Sequence, residues 1–242
     1  MKKVALVTGG TKGLGLEIVH KLISDNYTVY SIARDFRNER GASDAYFHMG
    51  DITNIDSLTA LGDIINTNAG RLDLLVNNAG IIAGGGIEDI DYDNWNNVMN
   101  INVNGVFNCT KVMLPLLKKS DSASIVNISS ISSKIVSSSM AYSCSKSAVD
   151  IMTKCLAKDL AKHNIRVNSI SPGIMKTGFQ VNNSIISEDD YNDFIDKCSC
   201  DYPFGIVKTE EVAELVVYLG SSKASCITGA NITIDSGRSL CS

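Results

Sequence analysis

The chain alternates short runs rich in β-branched residues with longer segments of helical periodicity, and this alternation constrains its fold more than any other feature. The run KVALVT at 3–8 is followed by a helical face at Leu14, Ile18 and Leu22, and then by the run TVYSIA at 28–33. Repeated strand–helix–strand units predict a parallel sheet covered by helices on both faces. Further strands are predicted at 45–49, 72–76, 124–129, 165–170 and 231–235, and helices near 54–66, 93–118 and 141–163. We therefore expect a doubly wound α/β fold with seven parallel strands.

The chain offers no linker, so a single domain over residues 1–242 is expected. The stretch 178–207, rich in Asn, Asp and Ser, breaks the rhythm and is predicted to be a lid over a pocket, because long irregular insertions in compact folds are usually functional. After it, Thr209 followed by Glu210 and Glu211 is expected to cap a helix that runs to about Leu219.

Composition excludes several classes of function. The net charge is −4 and the pI about 5.4, so the chain lacks the basic footprint of a nucleic-acid-binding protein. No apolar stretch approaches the length of a membrane span. Seven scattered cysteines suit free thiols in a reducing compartment, and Cys198 and Cys200 have no histidine at ligand spacing. We expect a cytoplasmic protein with no metal, nucleic-acid or membrane partner.

A glycine-rich stretch, TGGTKGLG at 8–15, connects the first strand to the first helix. Glycines allow a tight turn, and they let backbone N–H groups and a helix N-terminus approach a pyrophosphate. The spacing is not the common G-x-G-x-x-G fingerprint, so on glycine content alone a plain turn remains an alternative. The candidate nucleotide contacts in this stretch are Gly9, Thr11, Lys12, Gly13, Leu14 and Gly15.

The end of the second strand bears on which nucleotide would bind. An acid there selects the 2′-hydroxyl of NAD, whereas a cation accommodates the 2′-phosphate of NADP. The expected acid position is Ala33, and Arg34 follows it directly. Lys12 and Arg34 are predicted to hold the phosphate together, with Asp35 as a partial offset. The alternative is that both cations are solvated surface charges. NADP(H) is the expected cofactor, with NAD(H) less preferred.

Several short motifs follow one another along nearly the whole chain. They are the glycine stretch, Asp51 after the third strand, NNAG at 77–80, Asn102 in NINVNG, serines after the fifth strand, Tyr142-x-x-x-Lys146, and Pro172-Gly173 with Thr177. In this order they resemble the short-chain dehydrogenase/reductase family in its compact single-domain form. The resemblance implies a Rossmann-like fold and hydride transfer between a nicotinamide cofactor and a ketone or secondary alcohol.

The resemblance implies that Tyr142 is the general acid in reduction and the base in oxidation. A free phenol has a pKa near 10, so work near neutrality requires a lower value. Lys146, one helical turn along on the same face, is expected to supply the charge that lowers it, and also to hold the nicotinamide ribose.

The resemblance also implies a catalytic serine, which is expected to hydrogen-bond the substrate oxygen. Ser130 follows the strand as the family's serine does, but Ser129 fits the usual gap to the tyrosine; Ser130 is preferred on strand alternation. Asn102 is expected to bend its helix and to hold a water that links Lys146 to solvent. The alternative for Asn102 is a solvent-facing position.

The remaining cofactor contacts are also implied by the resemblance. Backbone at Asn78, Ala79 and Gly80 is expected near the adenosine-side ribose, and Asp51 with Ile52 beside the adenine. Ile174 and Thr177, after Pro172 and Gly173, are expected at the nicotinamide carboxamide. Without the resemblance, Asp51 reads as a turn residue and Thr177 as a cap.

The expected function is reduction of a ketone with NADPH, and substrate classes in the family include 3-oxoacyl thioesters, steroids and sugars. The predicted lid carries six acids against Lys197, which disfavours an acidic carrier protein and favours a neutral ketone. The three histidines have no partners that would suggest a hydrolase triad. Alternatives are a nucleotide-binding sensor without turnover and a structural oligomer. A homotetramer or homodimer is expected.

Overall fold

The computed structural model describes residues 2–35 and 44–241. Within these ranges, seven parallel strands form one sheet in the order β3-β2-β1-β4-β5-β6-β7. The strands are β1 (Lys3–Thr8), β2 (Tyr27–Ala33), β3 (Ala45–Met49), β4 (Leu74–Asn77), β5 (Ala123–Ile128), β6 (Ile165–Pro172) and β7 (Asn231–Ile234). The predicted doubly wound α/β fold is confirmed.

Helices connect the strands and cover both faces of the sheet. They are α1 (Gly13–Ser24), α2 (Ile55–Ala69), α3 (Tyr92–Met99), α4 (Gly105–Leu117), α5 (Met140–Leu160), α6 (Phe179–Asn182), α7 (Tyr191–Ser199) and α8 (Thr209–Gly220). In the parts of the chain that the structure describes, no helix is both long and apolar enough to cross a membrane.

Two apolar clusters lie on opposite faces of the sheet. Leu6 packs into the cluster shared with α2 and α4, whereas its neighbour Val7 packs into the cluster shared with α1 and α8. This alternation follows from the pleat, which points successive side chains to opposite faces. Because both faces are covered, the strands read as nearly continuous apolar runs.

The strand order changes direction at β1, which pairs with β2 on one side and with β4 on the other. In open α/β sheets a crevice forms at such a switch point, beyond the carboxyl ends of the strands. The glycine stretch follows β1 and the NNAG segment follows β4, so the topology places both at this crevice.

One local prediction is wrong and another is refined by the structure. The predicted helix at 93–118 forms as α3 and α4 with a π-helical turn, Asn100–Asn104, between them, and this turn contains Asn102, where the resemblance implies a bend. Thr209 is not a cap but the first residue of α8: the backbone N–H of the preceding Lys208 donates to the Glu211 carboxylate at 3.1 Å. The carboxylate of Glu211, three residues after Lys208, therefore accepts a backbone N–H at the start of α8, which the Thr209 hydroxyl does not do.

Candidate active site

A cleft of about 950 Å³ opens at the carboxyl ends of the strands, a volume suited to a small molecule together with a cofactor. One end lies at the glycine stretch and the ends of β2 and β3, and the other end lies under the segment 178–207. Every residue predicted to touch a cofactor or substrate lines this cleft except Asn102, which is fully buried.

The glycine stretch forms a cradle that side chains could not enter. Gly9 and Gly13 adopt φ angles of +68° and +53°, which glycine tolerates and other residues rarely adopt. A Cβ on Gly15 would lie 2.1 Å from the carbonyl oxygen of Gly9, closer than any real contact. The close approach brings the start of α1 into the cleft, where its unpaired N–H groups suit a pyrophosphate.

The end of β4 is fastened to this cradle by hydrogen bonds. The Thr8 hydroxyl oxygen accepts the backbone N–H groups of Asn78 and Ala79, both at 3.0 Å. The Asn78 side chain donates to the carbonyls of Thr8 at 2.9 Å and Gly9 at 3.2 Å. The side-chain amide of Asn78 is therefore used to hold the cleft wall together.

Two cations lie at the end of the cleft formed by the glycine stretch and the end of β2. Lys12 and Arg34 are exposed, and both line the cleft together with Asp35. The Asp51 carboxylate accepts hydrogen bonds from the N–H and hydroxyl of Thr53, at 2.8 and 2.9 Å, so it also serves as the turn residue of the alternative interpretation. Ile52 is buried beside it.

Tyr142 and Lys146 share one face of α5, at the inner part of the cleft. The Lys146 side chain is 4% exposed, and its Nζ lies 5.5 Å from the centre of the Tyr142 ring. The same Nζ donates to the carbonyl of Ile128 at 2.8 Å, at the end of β5. The ammonium is thus held at the strand end, beside the phenol ring.

In this structure the pKa of Tyr142 is raised above its usual value and not lowered. Burial raises the pKa of Tyr142 to about 12, and a hydrogen bond with Ser130 offsets part of the rise. Burial lowers the pKa of Lys146 to about 8, with Asp150 opposing the shift. Loss of water on burial is the largest cause of both pKa shifts, because burial disfavours the charged form of each group. At neutral pH the phenol is a fully protonated donor.

The two candidate serines have different surroundings. Ser130 hydrogen-bonds Tyr142, and its hydroxyl oxygen accepts the N–H of Ser132 at 3.1 Å. The Ser129 hydroxyl is buried and donates to the backbone carbonyl of Lys146 at 3.3 Å. Strand alternation accounts for the difference, since neighbouring residues at the end of β5 point in opposite directions.

Asn102 lies in the π-helical turn and is fully buried, so the solvent-facing alternative is wrong. Its side chain accepts the N–H of Ile81 at 2.8 Å and donates to the Ile81 carbonyl and the Ser145 hydroxyl, each at 2.9 Å. Both amide hydrogens are used within the protein. The water that Asn102 is expected to hold could therefore bond only to a remaining lone pair on its Oδ1 atom.

The segment after β6 forms the opposite wall of the cleft. Thr177 lies against the glycine cradle, since a Cβ on Gly13 would be 3.3 Å from the Thr177 Cβ. Gly173 donates its N–H to the carbonyl of Ile234 at 2.9 Å, which ties this wall to β7. The predicted contacts Pro172, Gly173, Ile174 and Thr177 all line the cleft here.

Sequence reasoning missed the aromatic residues that complete the inner end of the cleft. The Phe179 ring lies 6.0 Å from the Tyr142 ring, centre to centre. Tyr202 lines the cleft and accepts the N–H of Ile174 at 2.7 Å. The sequence did contain a signal for these two aromatic residues, because both lie within 178–207, the segment predicted to be a lid over the pocket.

Charge is unevenly distributed along the cleft. Among the described lining residues, the charged side chains are Lys146 and four at the end formed by the glycine stretch and the ends of β2 and β3: Lys12, Arg34, Asp35 and Asp51. The part beneath 178–207 is lined by apolar and neutral polar side chains, including Ile82, Phe179, Asn183, Ile185 and Phe194. The acids of that segment do not line it, and the residues described by the structure contain no cluster suited to a metal ion.

The glycine cradle, the helix start and the cations together fit a dinucleotide, and they lead to a phenol and an ammonium. A doubly wound sheet with this site defines a nucleotide-dependent oxidoreductase. A family model described as short chain dehydrogenase matches residues 3–185. The chain belongs to the short-chain dehydrogenase family, whose members use NAD(P) and act on CH–OH groups.

Characterised relatives agree over almost their full lengths. The chain is 32% identical to a trans-4-hydroxycyclohexanecarboxylate dehydrogenase of Sinomonas cyclohexanicum, covering 98% of this chain and 92% of the relative. It is 34% identical to a 3-alpha-(or 20-beta)-hydroxysteroid dehydrogenase of Mycobacterium tuberculosis, covering 97% and 88%. The ligand-free structure of Thermoplasma acidophilum aldohexose dehydrogenase matches with a TM-score of 0.91 at 30% identity, covering 100% of this chain and 95% of that one.

Proposed function

We propose that this protein reduces a neutral, ring-containing ketone to a secondary alcohol with NADPH, and catalyses the reverse oxidation at higher pH. The observation that carries the proposal is the grouping of Ser130, Tyr142 and Lys146 at the inner end of a cleft whose outer end holds two cations. The bound nicotinamide supplies the hydride that reaches the carbonyl carbon.

In the proposed reduction, Ser130 donates a hydrogen bond to the carbonyl oxygen as negative charge develops there. The Tyr142 hydroxyl transfers its proton to the same oxygen, so the product is a neutral alcohol. Lys146 stabilises the phenolate that remains, and its ammonium can supply a proton to restore the phenol. Asn102 holds the π-helical turn behind these groups through Ile81 and Ser145.

The substrate is proposed to be neutral because the inner half of the cleft lacks a charged partner other than Lys146 among its described lining residues. A carboxylate or phosphate there would lose water without gaining an ion pair. The acidic segment 178–207 also repels an acidic carrier protein. The named substrates of two relatives, a hydroxycyclohexanecarboxylate and a hydroxysteroid, support a ring compound; the first carries a carboxylate, so this support is for the ring and not for its neutrality.

The preference for NADP(H) over NAD(H) rests on Lys12 and Arg34 at the adenosine end and on Ala33 where an acid would favour NAD(H).

A homodimer or homotetramer is also proposed. It is supported by large apolar side chains exposed on the long helices, Phe107 at 54% on α4 and Ile151 at 59% on α5. Native mass measurement tests this assembly, and a monomer would contradict it. The cytoplasmic location remains a prediction.

The function is tested by following NADPH absorbance with a panel of ketones: cyclic ketones, a ketosteroid, an open-chain sugar and a 3-oxoacyl thioester. We expect turnover of the neutral ring ketones and a loss of about 10²- to 10⁴-fold in Tyr142→Phe. Binding of NADPH without turnover of any ketone would instead support the sensor alternative.

A further inference from the structure

Tyr202 lies in the C-terminal part of the segment 178–207 and touches the wall of the cleft. Its side chain is buried, with 8% of its surface exposed. Its hydroxyl oxygen accepts the backbone N–H of Ile174 at 2.7 Å. A Cβ on Gly173 would lie 2.6 Å from the Cε1 atom of Tyr202, so the ring lies flush against the backbone of that residue.

A second bond joins the same segment to Ile174. The N–H of Val207 donates to the Ile174 carbonyl at 3.1 Å, so both backbone polar groups of Ile174 are bonded to the segment. Farther along, the Tyr191 hydroxyl accepts the N–H of Gly178 at 2.9 Å. Two phenols therefore hold the two ends of the stretch 174–178, which lines the cleft.

The held stretch reaches the glycine cradle through Thr177, which lies against Gly13. Its position consequently depends on side chains of the overlying segment, which also forms the inner half of the cleft through Phe179 and Phe194. A displacement of Tyr202 would be transmitted to Ile174 because it would break the hydrogen bond that holds the part-buried Ile174 N–H.

We propose that Tyr202 is a positioning residue that couples the segment 178–207 to the nicotinamide end of the cofactor cleft, by fixing the backbone of Ile174. This inference rests on the proposed function in so far as the cleft holds NADP(H). Removing the hydroxyl alone leaves the ring against Gly173 but frees the Ile174 N–H. The stretch 174–178 then samples more conformations, and a ligand group that depends on it binds less tightly.

The test compares two ligands by isothermal titration calorimetry: NADP⁺, and 2′-phospho-ADP-ribose, which lacks the nicotinamide. For Tyr202→Phe we expect the affinity for NADP⁺ to fall roughly three- to tenfold, the size of one lost hydrogen bond. The affinity for 2′-phospho-ADP-ribose should change less than about twofold, because its binding groups lie at the glycine cradle and the cations. Tyr218→Phe, which alters an α8 phenol away from the cleft, is the matched control and should bind both ligands as the wild type does.

Equal weakening of both ligands in Tyr202→Phe would mark a general loss of structure and overturn the proposal. Unchanged binding of NADP⁺ would also overturn it, since the Tyr202 hydroxyl would then make no contribution to binding. Tighter binding would overturn it too, since the hydroxyl would then compete with the ligand. Should Tyr202→Phe fail to fold, Tyr191→Phe carries the test with the same expected selectivity. A wild-type protein that binds neither ligand would refute the proposed function itself, whereas an unselective variant of a binding wild type refutes this inference alone.

Discussion

Burial controls the protonation of the residues beside the Tyr142 ring. The phenol, with a pKa of about 12, keeps its proton through the alkaline range, whereas Lys146, with a pKa of about 8, loses its proton there. In the proposed reduction, the phenolic proton is consumed and the ammonium stabilises the phenolate. We therefore expect the titration of Lys146 to set the upper pH limit of reduction.

We expect kcat/KM for ketone reduction to be level at neutral pH and to fall as pH rises through about 8, because Lys146 then loses its positive charge. Alcohol oxidation should rise with pH, since it needs the deprotonated phenol. Initial rates from pH 6 to 10 measure both limbs. Lys146→Arg provides a cation of higher pKa and should move the falling limb upward; an unmoved limb would show that another group titrates.

The neighbouring serines form a matched pair for mutation. Ser130→Ala removes the hydroxyl that bonds Tyr142 and is expected to lower kcat by about 10²- to 10³-fold, with little loss of stability. Ser129→Ala removes a hydrogen bond to the Lys146 carbonyl and should cost about 1 kcal/mol of stability with kcat changed much less. Steady-state kinetics and thermal melting separate the two. Equal losses of kcat would contradict the assignment.

Arg34 provides a test of cofactor choice. Arg34→Ala should weaken NADPH binding by about tenfold or more, because a charged hydrogen-bonding partner of the 2′-phosphate is lost. NADH has no such phosphate, so its dissociation constant should be nearly unchanged. Fluorescence titration with both cofactors measures the difference, and Arg238→Ala, at a cation that does not line the cleft, is the control. Identical effects on both cofactors would rule out the phosphate contact.

At the scale of elements, most helices and strands follow from local pattern. Runs such as KVALVT, and the faces marked by Leu14, Ile18 and Leu22, depend on neighbours in sequence, and the structure forms β1 and α1 there. The resemblance implies a bend at Asn102, but the local pattern does not predict the π-helical turn, because the cause of the turn is not local. Asn102 bonds to Ile81, 21 residues earlier, and no periodicity within 93–118 records that contact.

The π-helical turn contains a buried asparagine, Asn102, and an exposed one, Asn104, so the effects of replacing them can be compared. Asn102→Ala leaves the N–H and carbonyl of Ile81 without their side-chain partners, so we expect a loss of about 2–3 kcal/mol in the free energy of unfolding. That corresponds to a fall of roughly 5–10 °C in Tm for a chain of this size. Asn104→Ala, in the same turn but exposed, should leave Tm almost unchanged. Calorimetry compares them, and similar values would show that the buried amide is dispensable.

At the scale of the whole molecule, the sequence motifs predicted which backbone segments would surround the cleft. They did so because the ends of parallel strands meet at one edge of the sheet, so glycines after β1 and polar residues after β4 come together in any such fold. The motifs could not predict the protonation of Tyr142 and Lys146, since burial depends on every element packed around α5. They also could not predict Tyr202, whose bond to Ile174 spans 28 residues and requires the folded segment between them.

The attachment of Ile174 to the overlying segment bears on efforts to retarget the enzyme. A mutant library that varies 178–207 to admit bulkier molecules would, through Tyr202 and Val207, also disturb the loop that borders Gly13. Screens of such libraries by turnover alone would discard variants with an improved pocket whose only defect is poor retention of the dinucleotide. Holding Tyr191, Tyr202 and Val207 constant would keep the two properties separable.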